Sequence, residues 1–165
     1  MTALEGLCAL RRCWVPALAL ASIAIPAFAQ SDVDAAKQLF ERYQALEQAF
    51  DPAVADLFTD KAVIRVTRVY PDGQSRQVEI PGELYKLALR QSMDEAKRHG
   101  DSDRYSNVRY TRVDGRVRIN AVRYSVWQHY KAPCSFLVGP GSNGQWRIDA
   151  ATFETRVIPS APSQR

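Results

Sequence analysis

The chain has 165 residues, a net charge of +4 at pH 7, two histidines and three cysteines. Its length suits one domain, and its small positive charge is spread along the chain, which argues against nucleic-acid binding, where basic residues cluster. Its histidines and cysteines lack the close spacing of a zinc site. The glycine-rich segment 139–144 lacks the Lys-Ser/Thr of a phosphate-binding loop. We therefore expect no metal, no cofactor and no nucleic-acid partner.

Residues 1–29 are typical of a cleavable secretory signal peptide. Arg11 and Arg12 precede an apolar stretch, and Ala27-Phe28-Ala29 is the small-x-small pattern that signal peptidases recognise. The stretch is rich in alanine and contains two prolines, which does not suit a permanent membrane anchor. We therefore predict a periplasmic or secreted protein with no membrane span after cleavage.

The segment that follows cleavage is predicted to form one domain, residues 30–157, with a disordered tail at 158–165. After Ile158 the tail consists of Ser, Ala, Pro, Gln and Arg, a composition typical of a loose terminus. Cys134 is then the only cysteine left, so no disulfide can form within the exported chain. Because Cys134 opens the run Cys-Ser-Phe-Leu-Val, we expect a buried, inert thiol.

Three helices are predicted. The first begins at a capping-box-like Ser31-Asp-Val-Asp34 and has one apolar face. Asp51-Pro52 starts a short second helix, because aspartate accepts from free backbone N–H groups and proline suits a first turn. The third spans 83–99 and ends at Gly100. The apolar face of the first helix comprises Val33, Ala36, Phe40, Tyr43, Leu46 and Phe50.

Strands are predicted from alternating and β-branched residues bounded by turn residues. They cover 62–70, 77–80, 104–113, 116–130, 134–138 and 145–156. This order of elements predicts an α+β fold in which three helices on the N-terminal side pack on a curved, mainly antiparallel sheet.

Asp114-Gly115 predicts a two-residue hairpin turn, which fixes the register of its two strands. Near the turn, alternate residues then form an apolar core face and a polar outer face. Beyond Ala121 the same register would turn Arg123 inward and Val122 outward. Two interpretations follow: a bulge near Ala121-Val122 restores the apolar core face, or the inner face becomes polar at a pocket mouth while the outer apolar patch contacts a partner.

Two short motifs resemble the nuclear-transport-factor-2-like superfamily, which includes ketosteroid isomerase-like and polyketide cyclase-like proteins. Phe58-Thr-Asp60-Lys-Ala62-Val63 resembles the family's Phe-x-Asp-Asp-Ala-x, and Gln145-Trp-Arg-Ile148 resembles the opening of a late strand. The resemblance covers about residues 31–157. It implies a cone-shaped domain with a pocket between sheet and helices, and homodimers through the outer sheet face. Its members include both enzymes and binding modules.

The resemblance also allows a comparison with the isomerases. It places their proton-shuttling carboxylate at Val66, between Arg65 and Thr67, and valine cannot transfer a proton. An enzyme of this fold would therefore need another acid or base, and would bring at least two of them within hydrogen-bond reach in one pocket. The candidates for that role are Asp60, Asp149, Tyr43 and His129.

The hypothesis that the sequence favours is a non-catalytic module that binds a small hydrophobic or anionic ligand in the pocket of the cone. Two alternatives stay open, namely an interaction module of an envelope complex and an isomerase or cyclase with a non-standard acid or base. The residues predicted to line the pocket are Tyr43, Arg65, Tyr85, Arg123, Trp127 and His129.

Overall fold

The computed structural model describes residues 27–157, which fold into two α-helices, a 3₁₀ helix and six strands. The predicted signal peptide, apart from its last three residues, and the predicted tail lie outside these residues. The elements in chain order are α1 (Ala27–Gln48), the 3₁₀ helix (Pro52–Leu57), β1 (Phe58–Val69), β2 (Ser75–Pro81), α2 (Gly82–His99), β3 (Asp103–Val113), β4 (Arg116–Ser125), β5 (Tyr130–Pro140) and β6 (Trp146–Arg156).

The strands form one sheet in the order β2-β1-β6-β5-β4-β3. β1 and β6 are parallel and every other neighbouring pair is antiparallel. The α+β class and the mainly antiparallel sheet are thus as predicted. The helices match less closely: the second is a single 3₁₀ segment, capped by the Asp51 side chain on the Ala53 N–H, and α2 follows β2.

The helices pack on one face of the sheet because their apolar stripes need cover. α1 buries Phe40 and Tyr43 against Phe136 of β5, with ring centroids 5.4 and 5.1 Å apart. α2 begins against β1 at the buried Gly82, where a Cβ would lie 2.5–2.8 Å from backbone atoms of residues 59, 60 and 62, so only glycine allows this approach. No helix within residues 27–157 is long and apolar enough to cross a bilayer.

The hairpin at Asp114-Gly115 has the predicted register. Both turn residues have positive φ (49° and 73°), as a type I′ turn requires, and Val113 pairs with Arg116. β4 ends at Ser125, earlier than predicted, and β5 begins at Tyr130. The intervening residues form a turn and are not strand.

The face switch lies in β3 and not in β4. Asn107 and Val108 together lie opposite Ala121, and Asn107 has a φ of 54°. β4 itself stays in register with β5 from Val117 to Ser125. Of the two interpretations, the bulge at Ala121-Val122 is therefore wrong, and the inner face of β4 does turn polar beyond Ala121, at Arg123 and Ser125. A bulge adds a residue to one strand only, so it reverses the faces of that strand alone.

The bulge brings polar residues of β3 to the inner face. Tyr105 pairs with Arg123 and Asp103 pairs with Ser125, so all four share the face that packs on the helices. Without the bulge, Tyr105 would pair with Tyr124 and point outward, as the uninterrupted register predicted. One extra residue thus sets which side chains reach the interior.

Substitution of Asn107 tests the bulge. A left-handed backbone suits Asn and Gly, whereas a β-branched residue there costs about 1–2 kcal/mol. We expect Asn107→Gly to retain the stability of the native chain, and Asn107→Val to lower the free energy of urea unfolding by about that amount. Asn120→Val, an exposed position in extended β4, is the matched control. Equal effects of valine at both positions would contradict the left-handed bulge.

Candidate functional site

A carboxyl group is enclosed between α1 and β3. Glu47 lies one helical turn after Tyr43, on the face that meets the sheet. The Tyr105 hydroxyl donates to both of its oxygens, at 2.9 and 3.2 Å. The Tyr43 hydroxyl donates to Oε1 at 3.4 Å. Burial, followed by the charge of Glu47, raises the pKa of Tyr43 well above its usual value, so this hydroxyl keeps its proton.

A buried ion pair adjoins this group. Arg123 Nη1 donates to Asp103 Oδ2 at 2.8 Å, and the two side chains are only 13% and 12% exposed. Arg123 Nη2 donates to the Tyr130 hydroxyl at 2.9 Å and to the Glu154 carbonyl at 3.1 Å. Burial alone would lower the pKa of Arg123, but Asp103 outweighs burial and raises it. The arginine is thus a fixed cation that faces Asp103.

Glu47 and Asp103 form a carboxyl pair within hydrogen-bond reach of each other. Burial and the negative charge of Asp103 raise the pKa of Glu47 to about 8. Asp103 Oδ1 is buried and has no hydrogen-bond donor among the described N–H and O–H groups. When Glu47 is protonated, it can donate to an Asp103 oxygen. Near neutral pH the stable arrangement is therefore a neutral Glu47 beside an Asp103 carboxylate held by Arg123.

The carboxyl pair lies at the inner end of a cavity of about 240 Å³ between the end of α1, α2 and the turn after β4. Met93 is buried in its wall, and Trp127, 49% exposed, lies at its outer side. The Trp127 ring stacks on His99 with centroids 4.9 Å apart. The lining residues are Glu47, Phe50, Ser92, Met93, Glu95, Ala96, His99, Asp101, Asp103 and Trp127.

The interior beneath α1 is filled by aromatic rings. Tyr43 packs on Phe58 and Tyr105 at centroid distances of 6.2 and 6.1 Å, and Phe136 packs on Phe153 at 5.5 Å. This packing leaves no space between α1 and β5 for even a water-sized group. Space for a ligand therefore begins at Glu47 and extends outward.

Three of the predicted pocket residues belong to this region. Tyr43 and Arg123 are in the polar cluster, although the bonds of Arg123 go to Asp103, Tyr130 and the backbone and not into the cavity. Trp127 borders the cavity. Among the predicted binding residues, these are the ones that the fold brings to Glu47 and its cavity.

The other three predicted residues do not line the cavity, although Tyr85 lies near enough for the charge of Glu47 to raise its pKa. Tyr85 packs edge-on against Phe58 at 5.1 Å, in the aromatic core. Arg65 is exposed on β1, where its Nε donates to Glu79 at 3.1 Å. His129 is exposed in the turn after β4, its Nδ1 3.2 Å from the Tyr124 hydroxyl. Neither Arg65 nor Arg123 is thus placed to receive an anion in the cavity.

The acids and bases predicted for an enzyme do not meet. Asp60 is exposed and accepts from Lys86 at 2.5 Å. Asp149 lies 3.4 Å from Arg116 and accepts from Thr59 at 3.3 Å. Neither contacts Tyr43 or His129. No grouping of three or more potential metal ligands occurs within the described part of the chain.

The residues that do meet, Glu47, Asp103 and Tyr105, were not predicted. Glu47 could have been found from its four-residue spacing to Tyr43 on the same helical face. Asp103 and Tyr105 reach the site only because of the bulge at Asn107, whose position no hairpin signal predicts.

Comparison with known proteins gives structural likeness without sequence likeness. No protein-family model matches the chain, and no curated protein matches it. An NTF2-like protein with a cystatin-like fold from Novosphingobium aromaticivorans is 12% identical, with a TM-score of 0.55 over 82% of this chain and 88% of that one. An NTF2-like protein of unknown function from Pseudomonas putida is 10% identical, with a TM-score of 0.58 over 83% and 93%.

A third solved structure is the beta subunit of a putative aromatic-ring-hydroxylating dioxygenase from Novosphingobium aromaticivorans. It is 14% identical, with a TM-score of 0.54 over 82% of this chain and 96% of that one. Identities this low establish fold and not activity. They confirm the resemblance predicted from the segments at Phe58 and Gln145. The chain has the NTF2-like fold.

Proposed function

We propose that this protein is a small-ligand-binding module whose ligand occupies the cavity that ends at Glu47 and Asp103. The observation that carries the proposal is a largely buried carboxyl pair, held by Arg123, at the inner end of a cavity whose wall also contains Phe50, Met93 and Trp127. Apolar residues of similar volume are often at least as stabilising as buried charges, so such a group at a cavity is a functional candidate. A cavity in which polar groups converge beside apolar side chains is typical of ligand sites.

The cavity limits the size of the ligand. Drug-sized ligands occupy pockets of roughly 300–1,000 Å³, and this one measures about 240 Å³. Aromatic rings fill the deeper interior, so a steroid-sized molecule has no room there. The ligand is therefore a small molecule with an apolar part for Met93 and Phe50 and a polar end for Glu47 and Asp103.

Filling the cavity tests this proposal. Ala96 lines the cavity on α2, whereas Ala88 is exposed on the same helix. We expect small organic compounds to raise the Tm of the native protein and of Ala88→Phe, and to have no effect on Ala96→Phe, because the phenyl ring takes the ligand's place. Tm shifts of equal size in both variants would place binding elsewhere, and no shift with any compound would overturn the proposal.

Acid–base catalysis is a second candidate function, and the Glu47–Asp103 pair favours it. A carboxylic acid with a pKa near neutrality, beside an ionised partner, can give and take a proton. The role would fall to Glu47 and not to the acids considered from the sequence. NMR spectra of each bound compound during incubation with the protein distinguish binding from catalysis. Exchange of a carbon-bound proton or conversion of the compound indicates catalysis, and unchanged spectra indicate binding alone.

We also propose export and self-association. Ala27–Ala29 precedes the proposed cleavage, so mass spectrometry of the protein from its native host should give an N-terminus at Gln30.

A dimer through the outer sheet face would rest on Val122 and Leu137, whose neighbours there include Arg109 and Arg118. These charges would repel, so we expect dimerisation to increase with salt; a monomer at every salt concentration, by light scattering, would exclude it.

A further inference from the structure

We propose that the ligand is a small organic cation, such as a protonated amine, and that its binding expels a proton from Glu47 into solvent. This inference rests on the proposed function, because it names the chemical class that the same cavity accepts. It reverses the charge expected from the sequence, where Arg65 and Arg123 pointed to an anion.

The lining of the cavity carries the argument. Four of its ten residues are acidic and none is lysine or arginine. Arg123 lies behind Asp103 and gives its hydrogen bonds to Asp103, Tyr130 and a backbone carbonyl. Asp103 Oδ1 is buried, and apart from a proton on Glu47 no N–H or O–H group of residues 31–157 is placed to donate to it. An ammonium group brings N–H donors, and no acceptor of its own, to a wall rich in carboxyl oxygens.

The walls also suit a cation with an apolar stem. Trp127 is half exposed at the outer side; one face of its ring stacks on His99, and the opposite face can cover a positive group, since cations bind over aromatic faces. Asp101, which accepts from Ser125 at 3.5 Å, adds a second carboxyl whose pKa burial and Asp103 raise. Glu47 and Asp101 thus already favour a bound proton, and a cation can replace it.

The proton step balances as follows. In the free protein the Glu47 carboxyl holds one proton beside the Asp103 carboxylate. The ammonium group enters, the O–H bond of Glu47 breaks, and that proton passes to buffer, leaving two carboxylates around one cation. The ionisable groups that face Glu47, one or more from each packed element, are Tyr43 of α1, Tyr85 of α2, Asp103 and Tyr105 of β3 and Arg123 of β4.

Matched probes test the inference. We would titrate the protein calorimetrically with the amine, the alcohol and the carboxylate of three stems: benzyl, cyclohexyl and n-butyl. We expect each amine that fits to bind about tenfold or more tightly than its alcohol, and each carboxylate to bind least. The amine titration is repeated near neutral pH in buffers of different ionisation enthalpy, and it should show about one proton released for each amine bound. This number should fall towards zero at pH values well above the pKa of Glu47.

Glu47→Gln is the decisive variant, because glutamine copies the protonated acid but cannot ionise. We expect it to abolish proton release and to weaken amine binding about tenfold, a clearly larger loss than for the matched alcohol. Asp101→Asn should weaken amines without removing proton release, and Glu83→Gln, exposed in the first turn of α2, should change neither.

The outcomes separate the two proposals. If alcohols or carboxylates bind in the cavity as tightly as amines, or if amines bind without proton release, the cation inference is wrong and the binding function stands. If none of the nine probes binds to the native protein, the proposed function fails and the inference with it.

Discussion

Replacing Arg123 with methionine is expected to lower the free energy of unfolding by about 3–5 kcal/mol. Methionine fills a similar volume but leaves Asp103 as a buried carboxylate without its cation, and removing one partner of a buried pair costs much more than the pair contributes. It also leaves the Tyr130 hydroxyl and the Glu154 carbonyl without the donor they have now. Urea unfolding followed by far-UV circular dichroism measures the change.

Two further variants show whether this loss of stability comes from the buried ion pair. Arg65→Met removes an exposed pair with Glu79 and should cost no more than about 1 kcal/mol. The double variant Arg123→Met/Asp103→Asn should be more stable than Arg123→Met alone, because it removes the uncompensated charge. If Arg123→Met cost no more than Arg65→Met, the ion pair would not be the buried anchor described here.

Replacing Glu47 with glutamine is expected to flatten the pH dependence of stability. Burial and Asp103 raise the pKa of Glu47 to about 8 in the folded chain, against 4.5 for an unperturbed glutamate. Between these values the folded state holds a proton that the unfolded state lacks, so stability falls as pH rises. The slope for one proton reaches about 1.4 kcal/mol per pH unit. Glutamine carries no such proton, so its variant loses this slope.

The measurement is the Tm of both proteins at a series of pH values across that window. We expect the native protein to lose stability relative to Glu47→Gln as pH rises, so the variant is the more stable near pH 8. Asp101, whose pKa is also raised, leaves a smaller slope of the same sign in both proteins. Parallel curves for the two proteins would contradict a protonated Glu47, and Glu83→Gln controls for the loss of a surface charge.

Local signals in the sequence predicted most of the fold. Periodic apolar residues predicted α1 and α2, and Asp114-Gly115 predicted the β3–β4 register, because a two-residue turn with positive φ at both positions admits only one pairing. The boundary between β4 and β5 was missed because Ser125 to Tyr130 remains rich in aromatic and β-branched residues. Its turn is held by the Ser125 side chain, which accepts from the Gln128 N–H, and by the His129 N–H bond to the Ser125 carbonyl.

The candidate site was only half predictable for a physical reason. Tyr43 and Arg123 lie on inward faces that simple periodicity gives correctly. Tyr105 and Asp103 reach the site only because of the bulge, and the contacts that favour this bulge are long-range ones. It turns Tyr105 toward Glu47 and Asp103 toward Arg123. Arg65 was predicted from its place beside Val66 and His129 from its place near Trp127 on a predicted strand, but Arg65 is exposed on β1, and His129 lies past the end of β4.

The central claim is that a protonated Glu47 lies against the Asp103 carboxylate at the closed end of the cavity. A pH titration of the side-chain carboxyl ¹³C signals by NMR tests it most directly, with the Glu47 signal identified by its absence from the spectrum of Glu47→Gln. The structure predicts a midpoint for Glu47 near pH 8, shifted downward when an amine is bound. A midpoint near the ordinary glutamate value of 4.5 would contradict it, because a solvated or unpaired Glu47 would leave the cavity without its defining group.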